Sequence, residues 1–147
     1  MSTALEVQIS TDTSKMQLDK VFQYLSQEAY WSKGLPREVF DRSVENSICF
    51  GAYLPNGDQV AFARVITDKA TFAYLADVFV AESQRGQGLS KHLIQEILSH
   101  SDLQGLRRFS LATADAHELY KKFGFTPLSV PEIMMERLNR SIYETAL

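Results

Sequence analysis

Two glycines at the start of a helix, with an arginine before them, have the spacing in this chain that most directly suggests chemistry. From Val78 to Ser90 an apolar strand runs through Arg85, Gly86, Gln87 and Gly88 into a segment where Leu89, Leu93, Ile94 and Ile97 recur at helical spacing. The first N–H groups of such a helix have no partner within it, and the positive end of the helix dipole lies beside them, so the turn suits a phosphate. Lacking a Cβ, Gly86 and Gly88 let the backbone approach an anion closely, and Arg85 can add a charge-assisted contact. The plain alternative is an ordinary strand-to-helix turn with a solvated arginine. No Lys-Ser/Thr pair follows the glycines, as an ATP phosphate loop requires, and the third glycine and ribose-binding acid of the dinucleotide motif are missing. The turn therefore predicts a different pyrophosphate ligand.

A second segment, Leu111 to Phe125, narrows the choice. Taken together, the two segments resemble the GNAT family of acyl-CoA-dependent N-acetyltransferases. That family's cofactor motif is an apolar strand residue five before an Arg or Gln, then two residues, Gly, one residue, and Gly or Ala. Val80, Arg85, Gly88 and Ser90 occupy those places. Its downstream motif, an Ala four before a Tyr with Gly-Phe four and five after it, is matched by Ala116, Tyr120, Gly124 and Phe125. Two positions depart from the pattern. Ser90 replaces the usual Gly or Ala, and Thr113 stands where many relatives carry an Asn that helps hold the cofactor, so no role is carried onto Thr113. The resemblance is specific from Tyr74 to Phe125 and general before it.

The resemblance implies one α/β (α+β) domain over residues 1–147, with a mixed, mostly antiparallel sheet of six to seven strands flanked by about four helices. It implies acetyl-CoA as the acyl-donor cosubstrate. Its diphosphate would lie against Arg85, Gly86, Gln87, Gly88, Leu89 and Ser90. Its pantetheine arm would enter a gap between splayed parallel strands, held by the backbones of Phe79 and Val80, whose side chains read simply as core. The Val80 N–H is the candidate donor to the thioester carbonyl oxygen. Tyr120 matches the family tyrosine that approaches the departing sulfur, although it also shares a helix face with Ala116, Leu119 and Phe123, as a core aromatic would. A phenol of pKa about 10 donating to a thiolate of about 8.5 is uphill by roughly 2 kcal/mol, so a hydrogen bond is as good a reading as complete proton transfer. Tyr30 and Trp31 lie in the region that lines the family's acceptor site. They read either as a cation–π platform for an alkylammonium or as anchors of their loop.

Transfer from a thioester to an amine needs a neutral nucleophile. A lysine-like ammonium costs roughly 4.6 kcal/mol to deprotonate at pH 7, whereas an α-amine costs about 1, so a base matters most for side-chain or alkylamine acceptors. Asp77, an acid within an otherwise apolar strand, is the candidate base, because burial makes a carboxylate a better proton acceptor. The alternative is a structural carboxylate paired with Arg64 or capping the backbone. The expected function is transfer of an acetyl group from acetyl-CoA to a primary amine of a small molecule or peptide, directly within a ternary complex. The competing reading is a non-catalytic acyl-CoA-binding or sensing module of the same fold.

The elements that must position these residues follow from periodicity. Residues from Ser14 to Gln27 read as a first helix, and Pro36 opens a second whose apolar face is Val39, Phe40 and Val44. Ile48 to Leu54 and Gln59 to Ile66 form a hairpin around Asn56-Gly57, and a third strand runs from Thr71 to Val80. After the helix that follows Ser90 come a parallel strand, Arg107 to Ala112, a short helix closed by Gly124, and a last strand pair, Phe125 to Leu128 and Ile133 to Leu138. Asn139 to Leu147 reads as a tail or a partner-contact segment.

The 147 residues suit one core, and 45% hydrophobic with 22% charged residues is an ordinary globular balance. Neither a leader pattern nor an apolar run of membrane-spanning length occurs, so a cytoplasmic protein without a membrane partner is expected. A net charge of −3 argues against nucleic acid as a partner. The single cysteine, Cys49, forms no intrachain disulfide and has no neighbouring base to make it a nucleophile. His92, His100 and His117 have no metal-ligand spacing, so no metal is expected. The expected partners are acetyl-CoA and the amine acceptor, and a homodimer is compatible with the chain.

Overall fold

The computed structural model describes residues 6–144. Its centre is a five-stranded sheet in the order β1-β2-β3-β4-β5, with β1 Gln8–Ser10, β2 Ile48–Tyr53, β3 Gln59–Thr67, β4 Phe72–Val80 and β5 Arg108–Leu111. The first four strands are antiparallel neighbours, and β5 joins β4 in parallel. Side-chain alternation separates two apolar layers. Ala61, Ala63 and Val65 of β3 face a core shared with Phe50 and Leu75, while Phe62 points to the opposite face.

The first layer is covered by helix α3, Leu89–Ser99, whose buried Leu89, Leu93, Ile94 and Ile97 form one stripe. The second is covered by α1, Leu18–Gln23, and α2, Arg37–Glu45, through Val21, Phe40 and Val44. Arg37 ties these two helices together: its guanidinium lies over the rings of Phe22 and Phe40 and pairs with Asp19 and Asp41. A short helix α4, His117–Lys121, follows β5.

The turns have local causes. Gly57, at φ +91°, donates its N–H to the Leu54 carbonyl, so the β2–β3 turn is centred on Pro55 and Asn56, and of the Asn-Gly pair only Gly57 takes the positive φ that the sequence suggests. In the β3–β4 turn the Asp68 carboxylate accepts the N–H groups of Ala70, Thr71 and Phe72 together with the Thr71 hydroxyl, which holds it well below the usual carboxylate range.

Four expectations are corrected. The first helix does not run unbroken from Ser14. Asp12 caps a separate 3-10 turn, Thr13–Lys15, and Gln17 and Gln59 each donate a backbone N–H to the other's side-chain oxygen at 2.8 Å, so α1 begins only at Leu18. Its C-terminal end widens into a π turn, Tyr24–Glu28. Strand β1 adds an edge that periodicity did not suggest. The final strand pair is not formed: Phe125 packs against Phe109 and Tyr120, and the chain then leaves the sheet, with only a 3-10 turn at Pro131–Ile133. Pro127 and Pro131 cannot donate to a ladder, and the sheet therefore has five strands rather than six or seven. Of the expected tail, residues 145–147 lie outside the described residues.

Candidate active site

The register of β4 creates the site. It pairs with β5 only from Phe72 to Leu75, opposite Arg108 to Leu111, and then continues to Val80 with no partner on that side. The parallel strands thus part, leaving the open gap that the resemblance implied. At its end, the Ala81 N–H donates to the Val60 carbonyl, which makes Ala61–Val80 a non-hydrogen-bonded pair and turns the N–H and C=O of Val80 away from β3. The Val80 carbonyl accepts Arg85 Nε at 3.0 Å, so the arginine is held against the strand it follows and lines the cleft from there.

Beyond Arg85 the backbone takes positive φ at Gly86 (+79°) and Gly88 (+81°), and a Cβ on either would meet nothing within 4 Å. Gly88 is the N-cap of α3 and offers no side-chain cap, so the first N–H groups of that helix are left for another acceptor. This open, donor-rich turn fits a diphosphate. Leu89 is buried beneath it as a core residue, and Ser90 lines the cleft.

Asp77 sits on a β-bulge. Between the pairs Phe62–Phe79 and Arg64–Ala76, β4 places Asp77 and Val78 opposite the single residue Ala63. Asp77 takes φ +58°, a left-handed conformation that Asp tolerates better than most residues. The carboxylate is engaged twice: Arg64 Nε donates to Oδ2 at 2.8 Å and Trp31 Nε1 to Oδ1 at 2.9 Å. Arg64 also donates to Ser47 Oγ at 3.2 Å. The Arg64–Asp77 side chains are largely buried, and the ion pair is the structural alternative that the sequence left open for this acid.

Tyr120 is buried near the C-terminal end of its own short helix and makes an edge-on contact with Phe125. Burial first, and the Asp115 carboxylate second, push its phenol above the ordinary value, so it remains a proton donor at neutral pH. The hydroxyl makes no hydrogen bond within the described residues, and the side chain lines the cleft. Thr113, two residues past the end of β5, accepts the N–H of Ala116 at 3.0 Å and so fixes the turn into α4.

One cleft of about 1040 Å³ joins these parts. Asp77, Tyr120, Phe79, Val80, Arg85 and Ser90 line it together with Tyr30 and Trp31, whereas Gly86, Gln87, Gly88 and Leu89 lie outside it at the turn. Tyr30 and Trp31 meet edge-on at 5.1 Å, and the indole N–H bond makes Trp31 an anchor of its loop as well as a wall. Sequence reasoning missed Tyr24, stacked on Phe79 with ring centroids 4.0 Å apart, and Glu28, an exposed cleft carboxylate at the end of the π turn. It also missed Tyr143, which packs beside Gly34. Tyr24 and Glu28 are four apart, so a helical face shared by both was visible in the sequence. Nothing local announced Tyr143.

Cys49 is buried, and burial pushes its thiol up to about 12, which removes it as a nucleophile. No group of three or more metal-ligating side chains occurs among the described residues, and none of their helices is long and apolar enough to cross a membrane.

The chain matches the acetyltransferase (GNAT) family over residues 18–125. It is 33% identical over 135 residues to a candidate acetyltransferase of Gibberella zeae, covering 78% of this chain and 75% of that protein. The crystal structure of a candidate GNAT acetyltransferase from Xanthomonas campestris pv. campestris is 50% identical, with a TM-score of 0.92 over 95% of this chain and 97% of that one. A GNAT acetyltransferase from Elizabethkingia anophelis, solved with acetyl-CoA bound, shares the fold at 15% identity, with a TM-score of 0.62 over 82% of this chain and 76% of that one.

Proposed function

The chain belongs to the GNAT family of acetyltransferases, and from that premise we propose that it moves an acetyl group from acetyl-CoA to a primary amine of a small molecule or peptide, by direct transfer in a ternary complex. The observation that carries this reading is the continuity of the cleft. Arg85 and Ser90, on either side of the donor turn at Gly86 and Gly88, line the same space as Tyr120, Asp77, Tyr30 and Trp31. A thioester and an amine entering from opposite ends would meet at the bulge.

In this reading the N–H groups at the start of α3 and the Arg85 guanidinium hold the diphosphate. The edge of β4 left unpaired beyond Leu75 offers backbone groups to the pantetheine arm, and the Val80 N–H, directed away from β3, donates to the carbonyl oxygen as negative charge develops there. The Tyr120 hydroxyl donates to the sulfur as the C–S bond breaks. Asp77 receives the proton of the acceptor ammonium. Each of its oxygens already accepts one hydrogen bond, and each keeps a second lone pair for that purpose. Tyr30 and Trp31 present ring faces to a cationic acceptor, and Glu28 adds a carboxylate at the same end. The whole chain acts as one domain in the cytoplasm.

The test is acetyl-CoA-dependent thiol release across a panel of alkylamines, α-amines and lysine peptides, with the acetylated product identified by mass. Amine-dependent release is expected. Tight acetyl-CoA binding without release for any amine would favour the non-catalytic binding module instead.

A further inference from the structure

The loop after the first helix is fixed, yet its largest side chains are not buried. The Ala29 N–H donates to the Tyr24 carbonyl at 3.0 Å, Ser32 Oγ to the Leu25 carbonyl at 2.6 Å, and the Gly34 N–H to the Ser26 carbonyl at 2.9 Å. With the indole bond to Asp77, these contacts hold the loop against the π turn. Tyr30 is nevertheless 63% exposed and Trp31 43%. Their ring planes stand at 89° to one another, so the pair makes two walls of a corner in the cleft. Glu28, just before them, is exposed in the same cleft and is in no ion pair among the described residues.

The other charged side chains of the cleft have their own neighbours. Arg64 pairs with Asp77, Arg85 is held on the Val80 carbonyl, and Asp115 adjoins Tyr120. Glu28 is thus the carboxylate left for a ligand cation, and the rings beside it add cation–π attraction. Such surroundings are wrong for the reacting nitrogen. An alkylammonium must lose a proton before it attacks, and a carboxylate with ring faces around it would stabilise the charged form and make that loss costlier. Asp77 differs, because it takes the proton away. The cation that Glu28 and the rings favour is therefore another nitrogen, one that stays charged throughout transfer.

We propose, on the acetyl-transfer reading above, that the acceptor carries two cationic nitrogens, one acetylated beside Asp77 and one held as a cation by Glu28 and the ring faces of Tyr30 and Trp31. The first ammonium gives up two protons, one to Asp77 before attack and one to the CoA thiolate as the amide forms. Its new C–N bond replaces the thioester C–S bond, and the second nitrogen exchanges nothing. That retained cation supplies binding energy away from the reacting centre and orients the free amine. An α,ω-diamine has this chemistry, and so does a lysine with a basic neighbour in a peptide.

The test is calorimetric titration of the full chain with CoA present at pH 7. One arm compares α,ω-diamines of three to eight carbons with monoamines of matching length, and the other compares lysine peptides flanked by Arg or by Ala. A preference of about fivefold or more for the doubly charged ligand is expected in at least one arm, and the arm that shows it identifies the source of the acceptor. Glu28→Gln should cut that preference about threefold, and Tyr30→Leu, which keeps apolar area but no ring face, about twofold. Circular dichroism confirms that each variant is folded. Equal affinities in both arms would overturn the proposal, as would a preference that Glu28→Gln leaves intact. Binding needs no turnover, so the two readings fail separately. A preference that depends on Glu28, in a protein that acetylates no amine, would keep the dication site and end the transfer reading. Acetylation of singly and doubly charged amines with equal kcat/KM would do the reverse.

Discussion

The indole N–H of Trp31 donates a 2.9 Å hydrogen bond to Oδ1 of Asp77, joining the loop after the first helix to the bulge of the fourth strand. Arg64 holds the other oxygen of the same carboxylate, so one side chain in the cleft wall is fixed in two directions. Asp77 therefore combines a backbone requirement with a polar one, and the two can be separated.

At φ +58°, a β-branched residue is strained whereas glycine is not. Asp77→Val should unfold more readily than Asp77→Gly by about 1–3 kcal/mol, although valine is the better strand residue. Equal melting temperatures would remove the strain argument. Asp77→Asn tolerates the same φ and keeps an acceptor oxygen for Trp31, so it tests the carboxylate itself. Its rate loss should be greatest for high-pKa amines at low pH and should shrink as pH rises and the acceptor deprotonates unaided.

Trp31→Phe keeps a ring in the cleft wall but removes the donor to Asp77. Stability should fall by about 1–2 kcal/mol, and KM for the amine should rise several-fold with acetyl-CoA affinity unchanged. An unchanged KM would leave Trp31 as an anchor of its loop alone.

Gly88 has open space where a Cβ would stand, so Gly88→Ala meets no steric obstacle and costs only the backbone strain of φ +81°, about 1 kcal/mol. Gly88→Glu adds length and negative charge at the mouth of the turn. It should abolish measurable acetyl-CoA binding by calorimetry while the protein stays folded. Wild-type affinity in that variant would place the diphosphate elsewhere.

The sequence made the chemistry legible where it is local. The turn through Gly86 and Gly88, the stripe of Leu89, Leu93, Ile94 and Ile97, and the Asn56-Gly57 hairpin are set by residues a few positions apart, and the structure contains each of them. The bulge at Asp77 was hidden, because an extra residue in β4 is defined by what it faces on β3. Arg64 was named as a possible partner of Asp77, but Trp31 was not, since 46 residues separate them and only the packing of α1 and its π turn brings them together. Phe125 to Leu128 and Ile133 to Leu138 were read as a strand pair, yet a strand also needs a partner, and the described chain provides none.

Burial pushes both Cys49 and Tyr53 up to about 12, in each case mainly through loss of solvent. Their neutral forms are favoured in the folded state, so stability is intact below their unfolded values, near 9.0 and 10.0, and declines as pH rises from there toward 12. Melting temperature should therefore be steady from pH 7 to 8.5 and fall above pH 9, and Cys49→Ala should make the first part of that fall shallower. Alkylation of native Cys49 at pH 8 should be at least about 100-fold slower than in denatured protein. Rapid native labelling would contradict the thiol's burial.

In the proposed mechanism transfer depends most directly on Tyr120, whose hydroxyl has no partner within the described residues and whose phenol is kept protonated by burial. Tyr120→Phe preserves the contact with Phe125 and removes one oxygen. The decisive measurement is kcat for acetyl-CoA-dependent amine acetylation by this variant, with acetyl-CoA affinity measured in parallel and chemistry shown to limit turnover. A fall in kcat of about 10- to 1000-fold at nearly constant affinity is predicted, because a donor to the departing sulfur acts only as that charge forms. A folded variant with wild-type kcat would contradict the account and leave Tyr120 as a packing residue.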